Sequence, residues 1–115
     1  MNIFKKLVVS TAIAVTLAAS PTLAAERIAL VVKSLGNGFF DAAAKGAEKA
    51  AAELGDVEII YTGPTAATAE GQIEIVNSLI AQNVDASAIS SNDPDALVPA
   101  LKKAMDRGIK VMSWD

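Results

Sequence analysis

The chain has 115 residues, 52% hydrophobic and 20% charged, which is a globular composition with room for one domain at most. It carries 10 Lys and Arg against 13 Asp and Glu, and neither Cys nor His. Disulfides, thiolate sites, zinc centres and the common catalytic triads therefore lose their usual members, and the acidic balance disfavours nucleic acid, whose phosphates need clustered Lys and Arg.

The chain starts MNIFKKLVVSTAIAVTLAASPTLAAE, with Lys5 and Lys6, an uncharged stretch from Leu7 to Ala19, the helix-breaking Pro21 and small residues from Thr22 to Ala25. This is the three-part pattern of a secretory signal peptide, with cleavage after Ala24 or Ala25. The apolar run of about 13 residues falls short of the roughly 20 that span a bilayer, so residues 1–25 read as a leader and not as a membrane helix. No Cys adjoins it to carry a lipid anchor. Its removal takes two bases and no acids, leaving 8 against 13 and a net charge of −5 on residues 26–115.

The mature part alternates with regularity. Ile28 to Val32 (IALVV) is a β-branched run expected of a strand buried on both faces. Phe39 to Leu54 is an Ala-rich helical stretch with Lys and Glu interspersed, and Gly55 is its C-terminal stop. Val57 to Thr62 (VEIIYT) is a second strand. Thr68 caps a helix through AEGQIEIVNSLIAQ, in which Ile73, Val76, Leu79 and Ile80 share one face. Ala86 to Ser90 is a third strand. A third helix then follows with Asp93 as N-cap, Pro94 at the first position and Asp95 at the positive end. Lys102, Lys103 and Arg107 lie at its negative end and Gly108 stops it, while Pro99 lies about one turn inside, where a helix can kink. Lys110 to Trp114 (KVMSW) is a fourth strand. The order βαβαβαβ with short connections predicts an α/β fold, a doubly wound parallel sheet with right-handed crossovers and helices on both faces.

In such sheets ligands sit beyond the carboxyl ends of the strands. Those ends read KSLGNGFF, TGPTAAT, SSNDPD and Asp115, and they gather the polar and aromatic residues that suit a small polar molecule. GNGFFD resembles the start of a dinucleotide fingerprint, but Asp41 stands where the third glycine belongs and the second strand ends in Thr62 instead of an acid. Gly36 and Gly38 also suit a plain strand-to-helix turn, Phe39 suits packing under the helix, and Asn37 suits an N-cap. Asp115 also reads as a solvated residue. Lys33 directly continues a buried strand and must reach solvent or a partner.

Taken together, IALVVKSLGNGFFDAAAKGAEKAAAELG, YTGPTAATAEGQIEIVNSLIAQNVDA and SSNDPDALVPALKKAMDRGIKVMSWD resemble the amino-terminal lobe of type 1 periplasmic sugar-binding proteins, above all the rhamnose-binding components of bacterial ABC importers and their relatives that bind the autoinducer-2 signal. The resemblance covers essentially the whole mature chain. It implies two α/β lobes that close over a monosaccharide in the periplasm, reversible capture without bond chemistry or cofactor, and delivery to a permease in the inner membrane. Carried over by position, Lys33 donates to ligand oxygens and Asp115 accepts from two hydroxyls. Asn37, Phe39 and Phe40 supply a polar contact and an aromatic wall, and Asn92 and Asp93 belong to a loop on the same cleft.

Ser87 departs from the pattern, standing inside the third strand where the family usually has a large aliphatic residue, and a buried hydroxyl there needs a partner. The family's chains are also much longer. The 115 residues by themselves are therefore expected to leave an exposed edge at the fourth strand, to be marginally stable and to bind sugar weakly. The ligand-sensing domain of a LacI-like repressor shares the fold, but it needs a helix-turn-helix where the leader lies.

Overall fold

The computed structural model describes residues 12–15 and 24–115. The leader expected over residues 1–25 lies mostly outside the described residues. Among the described residues no helix is long and apolar enough to cross a membrane.

Among the described residues seven elements alternate: β1 (Glu26–Val31), α1 (Gly38–Leu54), β2 (Val57–Thr62), α2 (Ala69–Ala81), β3 (Ala86–Ile89), α3 (Pro94–Asp106) and β4 (Lys110–Ser113). Each helix begins at the expected side-chain cap. Asn37 accepts from Phe39 N at 3.0 Å, Thr68 from Gly71 N at 3.1 Å and Asp93 from Ala96 N at 3.1 Å, each satisfying an amide that the first turn leaves without a partner. Gly55 closes α1 at φ 89°, a left-handed conformation that glycine adopts without strain. The third helix runs unbroken through Pro99.

All four strands are parallel, in the order β2-β1-β3-β4. The winding goes outward from β1 to β2 and then crosses back to β3, so β1 and β3 flank the point where its direction reverses. The ladder extends one residue past β1, β3 and β4: Val32 N donates to Thr62 O at 3.0 Å, Ser90 N to Val31 O at 2.9 Å and Trp114 N to Ile89 O at 3.1 Å. The exits of β1, β3 and β4 are thereby aligned along one rim.

Strand alternation divides the two faces. Ala29, Val31 and Ile89 pack with Val76, Leu79 and Ile80 of α2 and Leu97, Ala100 and Ala104 of α3, forming the main core. On β2, Ile60 packs against that cluster, whereas the neighbouring Tyr61 meets α1 through a hydrogen bond to Asp41. The sheet is therefore covered by α2 and α3 on one side and by α1 on the other, as expected of a doubly wound fold. Within α2 the innermost residue is Gln72, fully buried beside Val76, Leu79 and Ile80, while Ile73 is only partly buried.

The connection after β2 lies directly on the exit of β1. A Cβ on Gly63 would stand 2.8 Å from Val32 Cγ2 and 2.9 Å from Val32 O, so the close approach requires a residue without a side chain. Leu35 N then donates to Pro64 O at 2.9 Å, which fixes the loop that follows Lys33.

Candidate functional site

The aligned strand exits place one charged side chain on either side of β3. Lys33 follows β1 and Asp115 follows β4, and Lys33 Nζ reaches Asp115 Oδ2 at 3.1 Å and Asp115 O at 3.3 Å. Between them Ser90, fully buried at the end of β3, donates its hydroxyl to the same Oδ2 at 3.3 Å. The lysine and acid side chains are 34% and 40% exposed, so the pair is half in water.

Behind the pair lies a layer of neutral hydrogen bonds. Asn92 Nδ2 donates to Lys33 O at 2.9 Å and to Thr68 O at 3.3 Å, tying the β3–α3 loop to the exit of β1 and the start of α2. Gln72 Nε2 donates to Val32 O at 3.1 Å and to Ser90 O at 2.7 Å, while its Oε1 accepts from Asn92 N at 2.8 Å. Every polar function of this buried amide is paired, which is what its burial demands.

The aromatic residues divide into two roles. Phe40 is buried and meets Trp114 edge-on at 5.9 Å between ring centroids. Phe39 packs edge-on against Phe40 at 5.3 Å but stays 59% exposed, leaving an open ring face. Trp114 Nε1 is buried and finds no partner among the described residues. Asn37 is exposed and its side-chain oxygen serves the α1 cap, as the Asp93 carboxylate serves the α3 cap. An open groove of about 400 Å³ runs along this rim, lined by Ser91, Pro94, Ser113, Trp114 and Asp115.

Of the residues singled out in the sequence, Lys33, Asn92 and Asp115 thus meet in one cluster. Phe39 and Phe40 reach the rim through Trp114, and Asn37 and Asp93 stand at helix starts. The sequence reading passed over Ser90 and Gln72. The trace they leave is a polar residue where the pattern asks for an apolar one: Gln72 stands at helical spacing with Val76 and Leu79, and Ser90 follows the buried Ile89.

One further pair sets the position of α1. Tyr61 donates its hydroxyl to Asp41 Oδ1 at 2.9 Å, linking the end of β2 to the first turn of the helix that carries Phe39 and Phe40. Burial raises the Tyr61 phenol above its ordinary value of 10.0, and the hydrogen bond to Asp41 and that carboxylate's charge raise it further.

A protein-family model described as a periplasmic binding protein domain matches residues 28–115. A D-ribose/D-allose-binding protein of Pseudomonas aeruginosa is 44% identical over 91 residues, covering 77% of this chain and 28% of that protein. Among solved structures, LsrB from Clostridium saccharobutylicum in complex with AI-2 superposes with a TM-score of 0.75 at 35% identity, covering 77% of this chain and 27% of that one. An ABC transporter solute binding protein from Clostridium phytofermentas with bound L-rhamnose superposes with a TM-score of 0.70 at 40% identity, covering 79% and 28%. The chain spans less than a third of the length of these relatives.

Proposed function

The chain belongs to the periplasmic binding protein domain family, and from that premise we propose that its strand exits form one wall of the crevice in which an exported solute-binding protein of an ABC importer captures a monosaccharide. The observation that carries this reading is the meeting of Lys33 and Asp115 at 3.1 Å across the end of β3, beside the point where the sheet reverses its winding.

The chemistry is an exchange of partners. In the structure the ammonium and the carboxylate satisfy each other. A sugar offers hydroxyls that both donate and accept, so it can donate to Asp115 and accept from Lys33 without leaving either charge unpaired. In this reading Phe39, 59% exposed, offers a ring face to the apolar C–H surface of the same sugar, and Asn37, Asn92 and Asp93 border the cleft as the family resemblance implies. A groove of about 400 Å³ lies in the range of small-molecule sites. No covalent bond is made or broken in this scheme. In this proposal residues 1–25 direct export to the periplasm, a second lobe closes over the open side, and the loaded protein passes its sugar to a membrane permease.

The ligand proposed is a deoxyhexose such as L-rhamnose, whose methyl group suits an aromatic wall. The relative with bound L-rhamnose, 40% identical, supports it. A second reading, a signal molecule of the AI-2 type, is favoured by the superposition on LsrB in complex with AI-2, and such a ligand would use the same lysine and acid.

The test is calorimetric titration of the product of the whole reading frame with L-rhamnose, D-ribose, D-allose and AI-2. Saturable micromolar binding of a sugar is expected, tightest for L-rhamnose. Tightest binding of AI-2 selects the second reading, and no heat from any of the four at millimolar concentration overturns the proposal.

A further inference from the structure

We infer that Gln72 and Ser90 are the positioning residues of this site, a buried polar bracket that holds Lys33 and Asp115 in register and reserves one carboxylate oxygen for a ligand hydroxyl. The inference rests on the proposed function for the word ligand, and on geometry for the rest.

The last rung between β1 and β3 is Ser90 N to Val31 O at 2.9 Å. Beyond it lie the carbonyls of Val32 and Ser90, two acceptors that cannot pair with each other. Bridging them takes a group with two donor hydrogens, and the amide nitrogen of Gln72 does so at 3.1 and 2.7 Å. Its oxygen then takes the amide of Asn92, whose own side chain holds the backbone of Lys33 at 2.9 Å. A residue of α2 thereby fixes where both strands stop and where the lysine begins.

Ser90 passes that order on to the acid. Its carbonyl is held by Gln72, its amide by Val31, and its hydroxyl donates to Asp115 Oδ2 at 3.3 Å. Lys33 donates to the same Oδ2, so this oxygen is shared by two donors, whereas Oδ1 accepts no hydrogen bond among the described residues. Oδ1 is therefore the oxygen available to a sugar hydroxyl, and the torsion of the carboxylate is set by a serine that itself is out of reach of solvent.

Two variants of Ser90 separate positioning from support. Ser90→Ala removes the hydroxyl and no bulk, so affinity for the sugar is expected to fall about tenfold or more while the melting temperature without sugar moves little. Ser90→Thr keeps the hydroxyl but crowds a fully buried site, so it should melt earlier yet bind within about threefold of wild type. A merely structural role predicts that affinity follows melting temperature in both. Gln72→Met gives a readout that needs no ligand, since faster hydrogen exchange of the Asn92 amide, with the amides in the middle of β1 and β3 unchanged, is the expected result. Wild-type protein that binds none of the sugars overturns the functional reading. Wild-type binding together with an unaffected Ser90→Ala, or unchanged exchange at Asn92 in Gln72→Met, overturns the bracket alone.

Discussion

Lys33 Nζ stands 3.1 Å from Oδ2 of Asp115, a residue 82 positions further along the chain. The two charges leave different strands and meet because β3 is inserted between β1 and β4 with its exit level with theirs. With both side chains more than a third exposed, water screens their attraction, and the pair adds roughly 0–1 kcal/mol to stability. What the pair supplies is a donor and an acceptor at a fixed separation, and in the proposed function each trades the other for a sugar hydroxyl.

This difference between stability and binding is measurable. Lys33→Ala and Asp115→Ala are each expected to weaken sugar binding by about 100-fold, since each leaves its former partner without a counterpart against the bound sugar. The melting temperature without sugar should shift by no more than a few degrees. Titration calorimetry and a thermal melt on the same samples decide it, and a variant with wild-type affinity removes that residue from the site.

Tyr61 is the one tyrosine of the chain, so ultraviolet titration of phenolate reads it without interference. Its pKa is raised by burial, by the hydrogen bond to Asp41 and by that residue's charge, so it should ionise above 10.0. The neutral phenol is the form the fold favours. Its contribution to stability is therefore complete below the unfolded value near 10.0 and is lost as pH rises through the folded value, because the unfolded chain gives up the proton first. Asp41→Asn keeps an acceptor for the hydroxyl but removes the charge. The titration should then move down towards 10.0 without reaching it, as burial remains. An unchanged midpoint in Asp41→Asn would show that the contact at 2.9 Å does not govern the ionisation.

Most of the element order was legible because local chemistry and tertiary demand agree. Asn37, Thr68 and Asp93 cap helices in sequence and in structure, and Gly55 ends α1 in both. The boundaries differ where the signal is not periodic. The first strand starts two residues earlier than its apolar run, at Glu26, because Glu26 N reaches Asp56 O and Arg27 N reaches the Asp85 side chain, contacts that no hydropathy pattern reveals. Ser90 and Trp114 fall just outside their strands yet keep a ladder bond each. Strand order depends on which distant edges pair, so the family resemblance could assign Lys33 and Asp115 to one cleft where periodicity could not, and their direct contact was not legible from either. The bracket of Gln72 and Ser90 was hidden for a related reason: each makes its hydrogen bonds to segments at least 18 positions away, and a polar residue in an apolar pattern reads locally as noise.

Ser87 is the place where sequence and structure agree on a flaw. The residue is 6% exposed on β3, on the same face as Ile89, and its hydroxyl has no partner among the described residues. A buried hydroxyl without a hydrogen bond costs about 1–3 kcal/mol relative to one that is paired, and nothing in the strand's pairing with Ala29 and Val111 needs it. Ser87→Ala removes the unpaired group at almost no loss of volume, so the melting temperature should rise by roughly 4–8 °C for each kcal/mol gained in a domain of this size. Ser87→Val adds bulk toward the aliphatic residue usual in the resembling family. It should stabilise further only if the space between β3 and the helices above it accepts one methyl in place of the hydroxyl and a second beside it. Sugar affinity should not change in either variant, because position 87 lies three residues before Ser90 and takes no part in the rim. A lower melting temperature for Ser87→Ala would mean that the hydroxyl is satisfied in solution. Lower affinity at unchanged stability would mean that the spacing of the strand exits is set further down the sheet than the bracket at Gln72.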